Sequence, residues 1–355
     1  MQRWIRTRRA TEGRDYPVSR RDWRKLDESD VRVRPGKGSR PRSKRRPEHS
    51  DAVSAMVTGV DRGRWTCALE ATHGREVIAM RARELGRTPI VVGDQVDLVG
   101  DTSGRPDSLA RIVRVHPRTS VLRRTADDDD PYERVVVANA ERLLIVTALA
   151  DPPPRTGFVD RCLVAAYAGG LEPVLCFTKS DLADAEELIA RYAELELPIE
   201  ITRFDQEPAS LAGELAGRVT ALVGHSGVGK STLVNRLVPD AVLATGEVSA
   251  VGKGRHTSVA AVALPLPAGG WVIDTPGIRS FGLAHVTPDD IVSAFPEFAE
   301  AAEECPSGCG HLGEPADPDC ALDELAGTGG ATAGRLTSLR RLLASRAGLD
   351  EHADR

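Results

Sequence analysis

The sequence lacks the features of a membrane-spanning or secreted protein. No apolar run reaches the roughly 18 residues that a membrane span needs, and the longest candidate, Leu143 to Ala150, is far shorter. The N-terminus carries charge but no apolar core after it, which argues against a secretory signal. Six cysteines in 355 residues are too few for a disulfide scaffold. These absences favour a cytoplasmic protein with no membrane association.

Lysine is also scarce, with 6 lysines against 41 arginines, and the charge is distributed unevenly. Residues 1–50 hold 17 basic and 7 acidic side chains, whereas residues 51–355 hold 30 and 45. The first segment is rich in arginine and proline and has little to bury, so we expect a disordered basic arm over 1–50. A basic arm on an acidic body suggests a nucleic-acid contact. A merely solvated tail is the alternative.

Short β-prone stretches separated by turn residues fill residues 51–124. They are Ala52 to Val60, Trp65 to Leu69, Glu76 to Arg81, Ile90 to Leu98 and Ala110 to Val115. Five strands at this spacing predict a small antiparallel barrel, with the OB-fold as the leading option and another small β-domain as the alternative.

Residues 125–295 have an α/β pattern in which unbroken apolar strands alternate with helices. The predicted strands are Leu143 to Val146, Pro173 to Phe177, Ile199 to Ile201, Val219 to Val223, Val259 to Leu264 and Trp271 to Ile273. The predicted helices between them include Phe158 to Ala168 and Ala185 to Leu195. Such a pattern predicts a mostly parallel sheet that is covered on both faces.

Residues 296–355 contain cysteines and then a predicted helix. An apolar stripe at helical spacing indicates packing, and it consists of Leu336, Leu339, Leu342 and Leu343. Four arginines decorate the same helix: Arg335, Arg340, Arg341 and Arg346. They form either a solvated face or an RNA contact, and we favour the RNA contact slightly.

The strongest motif is a phosphate-binding P-loop, and it reads Gly224-His225-Ser226-Gly227-Val228-Gly229-Lys230-Ser231-Thr232. It follows a predicted strand and opens a predicted helix, which is the context that G-x-x-x-x-G-K-[ST] requires. The glycines let backbone N–H groups point at phosphate oxygens beside a helix N-terminus. Lys230 would reach the β- and γ-phosphates, and the Ser231 hydroxyl would bind Mg²⁺.

A second motif delivers an acid to the same phosphates. The strand from Trp271 ends in Asp274-Thr275-Pro276-Gly277. Asp274 is placed as a Walker-B acid on the magnesium side of the site, and Gly277 can offer its backbone N–H to the γ-phosphate.

A third motif, Thr178-Lys179-Ser180-Asp181, resembles the [NT]-K-x-D base-reading motif of GTPases. The Asp181 carboxylate can accept hydrogen bonds from N1–H and the exocyclic amino group of guanine. Adenine offers neither donor there, so ATP would leave the carboxylate unpaired. The stem of Lys179 can cover a face of the base.

The order of the motifs is unusual, because the base-reading motif precedes the P-loop and the P-loop precedes Asp274. Nucleotide sites form at the carboxyl ends of parallel strands, so cutting the chain at a different loop preserves the site. The sequence therefore predicts a circularly permuted P-loop GTPase domain.

A cluster of three cysteines and a histidine, Cys305, Cys309, His311 and Cys320, has ligand types suited to one tetrahedral Zn²⁺. Four protein ligands leave no open position, so the ion would be structural. Reduced surface thiols are the alternative. The other cysteines, Cys67, Cys162 and Cys176, lie singly in predicted strands and helices and are expected in the core.

The barrel, the permuted motif order and the Cys₃His element together resemble the RsgA (YjeQ) family over about residues 51–345. The resemblance implies an N-terminal OB-like barrel, a central permuted GTPase domain and a C-terminal helical zinc-binding domain. It implies hydrolysis of GTP to GDP and phosphate, with GTP, Mg²⁺ and one Zn²⁺ bound. It also implies a monomer whose partner is the small (30S) ribosomal subunit with its rRNA, and a role in late maturation of that subunit.

Within the resemblance, Gly254-Arg255-His256-Thr257-Ser258 is similar to the family's G-R-H-T-T switch segment. Either Thr257 or Ser258 would then bind Mg²⁺. Ile278 stands where many GTPases have a glutamine that orients the attacking water, and it cannot hydrogen-bond. His256 is therefore the candidate catalytic group, and the alternative is that it orders the loop or contacts RNA.

Three other functions remain open at this point. A permuted GTPase of the large subunit has no evident reason to combine a barrel with a zinc element. A P-loop small-molecule kinase would not need the base-reading motif. A nucleotide-gated RNA-binding module would show little hydrolysis, which a turnover assay with and without small subunits would reveal.

Overall fold

The computed structural model describes residues 49–70, 75–124, 134–239, 261–275, 283, 285–326 and 330–349. The predicted basic arm lies outside the described residues, apart from its last two residues. The acidic run Asp127 to Asp130 also lies outside them. So does the predicted switch segment, since it falls within residues 240–260. Among the described residues, no helix combines the length and the apolarity that a membrane crossing requires.

Five strands form a closed barrel near the N-terminus: β1 (Val53–Asp61), β2 (Arg64–Leu69), β3 (Glu76–Arg81), β4 (Gln95–Gly100) and β5 (Ala110–Val115). Their order is β1-β2-β3-β5-β4, and β4 pairs back onto β1, which closes the barrel. β3 and β5 run parallel, and the other barrel pairs are antiparallel. Inward side chains such as Val57, Leu98 and Ile112 fill its core. The predicted OB-like barrel is confirmed.

The fourth barrel strand begins later than the sequence predicts, at Gln95 rather than Ile90. Gly93 has a φ of +89°, and a Cβ there would lie 1.9 Å from the carbonyl oxygen of Ala138, so the chain turns tightly against a neighbouring segment. Ile90 is nonetheless buried, and its carbonyl accepts a hydrogen bond of 3.1 Å from the Trp65 indole. Its apolar character reflects this packing rather than a strand.

A two-stranded hairpin that the sequence reading missed follows the barrel. It consists of β6 (Val121–Arg124) and β7 (Arg134–Ala138), which pair antiparallel. Leu122 and Val137 are fully buried, and they join the core of the α/β sheet that follows.

The α/β part is a six-stranded region of sheet in the order β10-β9-β8-β11-β13-β12. The strands are β8 (Arg142–Ala148), β9 (Glu172–Thr178), β10 (Ile199–Ile201), β11 (Val219–Gly224), β12 (Val262–Pro265) and β13 (Trp271–Asp274). All neighbours run parallel except β12, which is antiparallel to β13. The strands predicted from the sequence are confirmed. The strand that leads into the P-loop, β11, lies within the sheet, and the strand that ends at the base-reading motif, β9, precedes it in the chain.

Helices cover this sheet, and the strands bury side chains on both faces. The helices are α1 (Thr156–Gly169), α2 (Glu186–Tyr192), α3 (Ala209–Leu215) and α4 (Lys230–Leu237). Along β8, Leu143 and Ile145 belong to one apolar cluster, whereas Leu144 and Val146 belong to another. The alternation shows a strand buried from both sides, as the unbroken apolar pattern predicts. At the other edge, β12 pairs with barrel strand β1, where Val262 lies opposite Gly59.

Four more helices follow in the part of the chain that the structure describes: α5 (Pro288–Val292), α6 (Pro296–Ala302), α7 (Leu322–Ala326) and α8 (Gly330–Arg346). The predicted leucine stripe of α8 is at most 2% exposed, which confirms its packing role.

The four arginines of α8 all have partners within the chain, so the preference for an RNA contact is not supported. Arg335 pairs with Glu297, Arg340 with Asp323 and Arg341 with Asp160, while Arg346 donates to the Val286 carbonyl. Asp160 is fully buried on α1, so its partner Arg341 fastens α8 to the α/β part.

Candidate nucleotide and metal sites

The P-loop joins the end of β11 to the start of α4, as the motif requires. Gly227 and Gly229 have φ of +83° and +89°, a region that side chains disfavour. At Gly224, a Cβ would lie 2.7 Å from the carbonyl oxygen of Val146, so the close passage of β11 past β8 requires a glycine. Lys230 begins the helix directly after Gly229. The segment therefore has the turn and the helix N-terminus of a phosphate cradle.

Lys230, the first residue of α4, meets Asp274, the last residue of β13. The Lys230 ammonium hydrogen-bonds the Asp274 carboxylate, and these side chains are only 11% and 8% exposed. The next residue, Thr275, donates its hydroxyl to the Leu222 carbonyl on β11. The acid of the second motif is thus fixed beside the lysine of the first.

The base-reading motif is tied to the P-loop by a side-chain hydrogen bond. The Thr178 hydroxyl, at the end of β9, donates to the carbonyl of Val228 at 2.6 Å. Lys179 has a φ of +60°, and its ammonium donates to the Asp151 carbonyl in the loop after β8. Two motifs that lie far apart in the sequence therefore share one site.

A pocket of about 260 Å³ lies beside the base-reading motif. Lys179, Asp181, Gly229 and Thr232 line one part of it, so the pocket connects the base-reading acid to the P-loop helix. The Asp181 side chain is exposed and can accept hydrogen bonds from a ligand there.

Another part of the pocket wall is a segment to which the sequence analysis assigns no role. Thr202, Arg203 and Phe204 follow β10 and line the pocket. The Thr202 carbonyl accepts hydrogen bonds of 3.3 Å from both the backbone N–H and the hydroxyl of Ser180. The sequence does carry a signal for the position of this segment. It follows a predicted strand that lies next to β9, and adjacent parallel strands end at the same edge of a sheet.

The four predicted zinc ligands converge near the C-terminus. Their ligand atoms, from Cys305, Cys309, His311 and Cys320, all lie within 4.8 Å of one another. The distance from Cys305 Sγ to His311 Nδ1 is 3.4 Å. A tetrahedral zinc with bonds of about 2.3 Å separates its ligands by about 3.8 Å, so this spacing fits the ion.

A cation in this cluster would change the protonation of its thiols. Desolvation, with contributions from Cys320 and Cys305, raises the pKa of the Cys309 thiol to about 12. A bound Zn²⁺ would counter this effect and hold the ligands as thiolates. The structure adds a residue that the sequence reading missed, since Asp289 Oδ1 lies 3.2 Å from His311 Nε2. The other ring nitrogen of His311 therefore faces the cysteines.

The remaining predicted site residues lie outside the described residues: His256, Thr257, Ser258 and Gly277, together with Ile278. Their predicted roles stay predictions. The isolated cysteines are described, and Cys67, Cys162 and Cys176 are fully buried, as expected for core residues.

The P-loop, its acid and the base-reading segment define a P-loop GTPase whose strands are circularly permuted in the chain. The RsgA GTPase family pattern matches residues 115–284. The chain belongs to the RsgA family of GTPases, because relatives more than 30% identical match it over most of their length.

One such relative is the "Small ribosomal subunit biogenesis GTPase RsgA" of Gemmatimonas aurantiaca. It is 39% identical over 264 residues, which cover 72% of this chain and 84% of the relative. The protein of the same name from Chlorobaculum parvum is 36% identical over 318 residues, covering 85% of this chain and 100% of the relative.

Solved structures share this fold. YjeQ from Thermotoga maritima is 26% identical, with a TM-score of 0.61 over 84% of this chain and 99% of that one. The structure titled "YloQ, a circularly permuted GTPase" has the same fold, with a TM-score of 0.61 at 21% identity over 86% of this chain and 98% of that one.

Proposed function

We propose that this GTPase binds guanine nucleotide at the carboxyl edge of its sheet and acts on the small ribosomal subunit during late maturation. The observation that carries the nucleotide site is the 2.6 Å hydrogen bond from the Thr178 hydroxyl to the Val228 carbonyl. It joins the base-reading motif to the phosphate-binding loop, so one ligand can span both. The partner is proposed from the relatives, whose name refers to biogenesis of the small subunit.

On the phosphate side, the backbone of Gly224 to Thr232 would hold the phosphates, and Lys230 would bind the β- and γ-phosphates. The pairing of Lys230 with Asp274 supports this, because both groups are nearly buried and a polyphosphate with a divalent cation would satisfy each of them. Ser231, Asp274 and either Thr257 or Ser258 would hold Mg²⁺, which supplies positive charge against the phosphates when it is bound. Gly277 would contact the γ-phosphate.

On the base side, Asp181 would accept from the guanine edge while the Lys179 stem covers a face of the ring. Ser180 supports this arrangement indirectly, since its two hydrogen bonds to the Thr202 carbonyl hold the two pocket walls together. Asp181 lines the pocket, which supports its proposed role in guanine selectivity.

Other parts of the chain would provide the contacts to RNA. We propose a basic arm over 1–50, a barrel over 51–124, a GTPase domain over 125–295 and a zinc-binding helical domain over 296–355. The arm, with 17 basic side chains, and the OB-like barrel suit RNA binding. The protein would act as a cytoplasmic monomer, with one structural Zn²⁺ held by Cys305, Cys309, His311 and Cys320.

The test of the base-reading role is the substitution Asp181→Asn. The amide presents a donor where guanine needs an acceptor, so we expect GDP affinity to fall by roughly 100-fold, in line with the loss of two charge-assisted hydrogen bonds. Xanthosine diphosphate, which carries a carbonyl in place of the amino group, should bind the variant better than the unmodified protein. Isothermal titration with both nucleotides measures the change.

The matched control is Asp184→Asn, an acid-to-amide change on the same loop but outside the pocket lining. It should leave both affinities unchanged. Unaltered guanine selectivity in Asp181→Asn would reject the role of Asp181.

The partner is tested separately by GTP turnover with and without purified small ribosomal subunits. We expect the subunits to stimulate turnover, whereas large subunits should not. Stimulation by large subunits alone would favour the other permuted GTPase class, and equal rates in all three conditions would contradict a ribosomal partner.

A further inference from the structure

Phe204 is an aromatic side chain in an unusual position beside the base-reading acid. Its side chain is 70% exposed, whereas the other phenylalanines among the described residues are at most 9% exposed. It lines the same pocket as Lys179 and Asp181. An exposed aromatic ring on the wall of a ligand pocket offers a flat apolar surface to a ligand.

The ring is held in place by an arginine of the P-loop helix. The Arg236 guanidinium donates hydrogen bonds to three carbonyl oxygens of one segment, those of Arg203 (3.1 Å), Phe204 and Gln206 (2.6 Å). Its central carbon lies 5.1 Å from the centroid of the Phe204 ring, which is a cation–π distance. One face of the ring is therefore covered by Arg236, and the ring remains largely exposed.

This arrangement connects the two ends of the nucleotide site. Arg236 lies in the last turn of α4, and the same helix begins at Lys230 of the phosphate cradle. The guanidinium thus fixes the loop after β10 relative to the P-loop. This anchoring fixes the position of the aromatic ring relative to the P-loop, as is required of a group that would contact the base of a nucleotide.

We propose that Phe204 stacks on the purine ring of the bound nucleotide and that Arg236 is the residue that positions it. The inference rests on the proposed guanine-binding site. Lys179 and Phe204 would cover the faces of the base, while Asp181 reads its edge. Stacking does not depend on the groups at the edge of the base, because every base has a π-face. Phe204 therefore contributes affinity, and Asp181 contributes selectivity.

The substitution Phe204→Ala tests the stacking. We expect the affinities for GDP and for inosine diphosphate to fall by the same factor, roughly 5- to 100-fold, as expected for loss of a base–aromatic stack. The ratio of the two affinities should stay constant, unlike in Asp181→Asn. Binding of magnesium tripolyphosphate, which has no base, should be unchanged. Phe204→Tyr should restore GDP affinity. Isothermal titration measures all of these ligands.

The matched control is Ile201→Ala, which removes another exposed apolar side chain just before the same loop but outside the pocket lining. It is 47% exposed and should bind GDP normally. Unchanged GDP affinity in Phe204→Ala would overturn the stacking while leaving the proposed function intact. An equal loss for tripolyphosphate would also overturn it, because the ring would then support the whole site. If the unmodified protein shows no preference for guanine, the proposed function itself fails.

The positioning role of Arg236 is tested by a double-mutant cycle. Arg236→Gln should weaken GDP binding in the unmodified protein, but it should add little in the Phe204→Ala background, since the ring that it positions is gone. In a Phe204→Trp variant, GDP should quench the added tryptophan fluorescence, and Arg236→Gln should reduce this quenching. Additive losses in the cycle, or quenching that does not depend on Arg236, would overturn the positioning role.

Discussion

The nucleotide site and the cysteine cluster bring their residues together in different ways. The nucleotide site collects side chains from Thr178 to Asp274 because β8, β9, β10, β11 and β13 run parallel and end at one edge of the sheet. The cysteine cluster takes four residues from one short segment, Cys305 to Cys320. The first site depends on the topology of a sheet, and the second depends on a local loop.

The two sites also differ in what stabilises them. Apolar clusters on both faces of the sheet support the nucleotide site, with side chains such as Ile145 and Leu222 fully buried. The cluster loop packs against one of these cores through Cys320, and it adds polar contacts, for example the Asp317 carboxylate that accepts from the backbone N–H groups of Gly310 and Leu312. These two contacts hold the pKa of Asp317 below its usual range. We therefore expect a metal ion to stabilise the loop but not the sheet.

The largest expected effect is the loss of the metal in Cys309→Ser. We expect zinc to fall from about one per chain to none, and the free energy of unfolding to fall by on the order of 4 kcal/mol, as for other losses of a structural metal. GDP affinity should stay within about twofold, because the sheet retains its own core. Metal analysis, chemical denaturation and titration measure the three quantities.

The control for that prediction is Cys67→Ser, which changes a fully buried thiol in the barrel. It should lower stability through burial of a hydroxyl but keep about one zinc per chain. If the unmodified protein, with all four ligands intact, contains no zinc, the metal site is rejected. A variant that loses GDP binding along with zinc would break the distinction between the two sites.

A second prediction separates binding from turnover within the nucleotide site. His256→Ala should retain GTP affinity but lose about 100-fold or more of subunit-stimulated turnover, as expected for a positioned polar group at the attacking water. Single-turnover kinetics with saturating small subunits measures it. Full stimulated turnover in the variant would reject His256, and the water would then need a backbone or RNA ligand.

The sequence predicts the parts of the fold whose signals are local. The P-loop, the strands of the sheet and the leucine stripe of α8 follow from spacing and apolar pattern, and the structure contains them all. The four residues of the Cys₃His cluster could also be selected from residue types alone. In each case, a short run of sequence is enough to specify the structure.

The features that the sequence did not predict depend on contacts between distant segments. The β6–β7 hairpin is made of strands separated by an acidic run, and Leu122 is buried only because it meets the core of another sheet. Thr202 matters because its carbonyl faces Ser180 on a neighbouring loop. Asp289 is separated from the cysteines by a whole helix, so spacing could not connect it with His311.

The smallest expected effect concerns Asp289 and sharpens the description of the cysteine cluster. Its carboxylate, 3.2 Å from His311 Nε2, would keep a proton on that nitrogen and leave Nδ1 free to bind the metal. Asp289→Ala should therefore weaken zinc affinity by about 10-fold, the low end for an outer-shell carboxylate, because its side chain is 86% exposed and water can replace it. Asp289→Asn, which keeps an acceptor oxygen, should lose less. Competition with a chelator measures affinity, and Asp319→Ala, an exposed acid beside Cys320, is the control. An equal loss in Asp319→Ala would show that only the general negative charge matters, and unchanged affinity in Asp289→Ala would show that the cluster orients His311 without it.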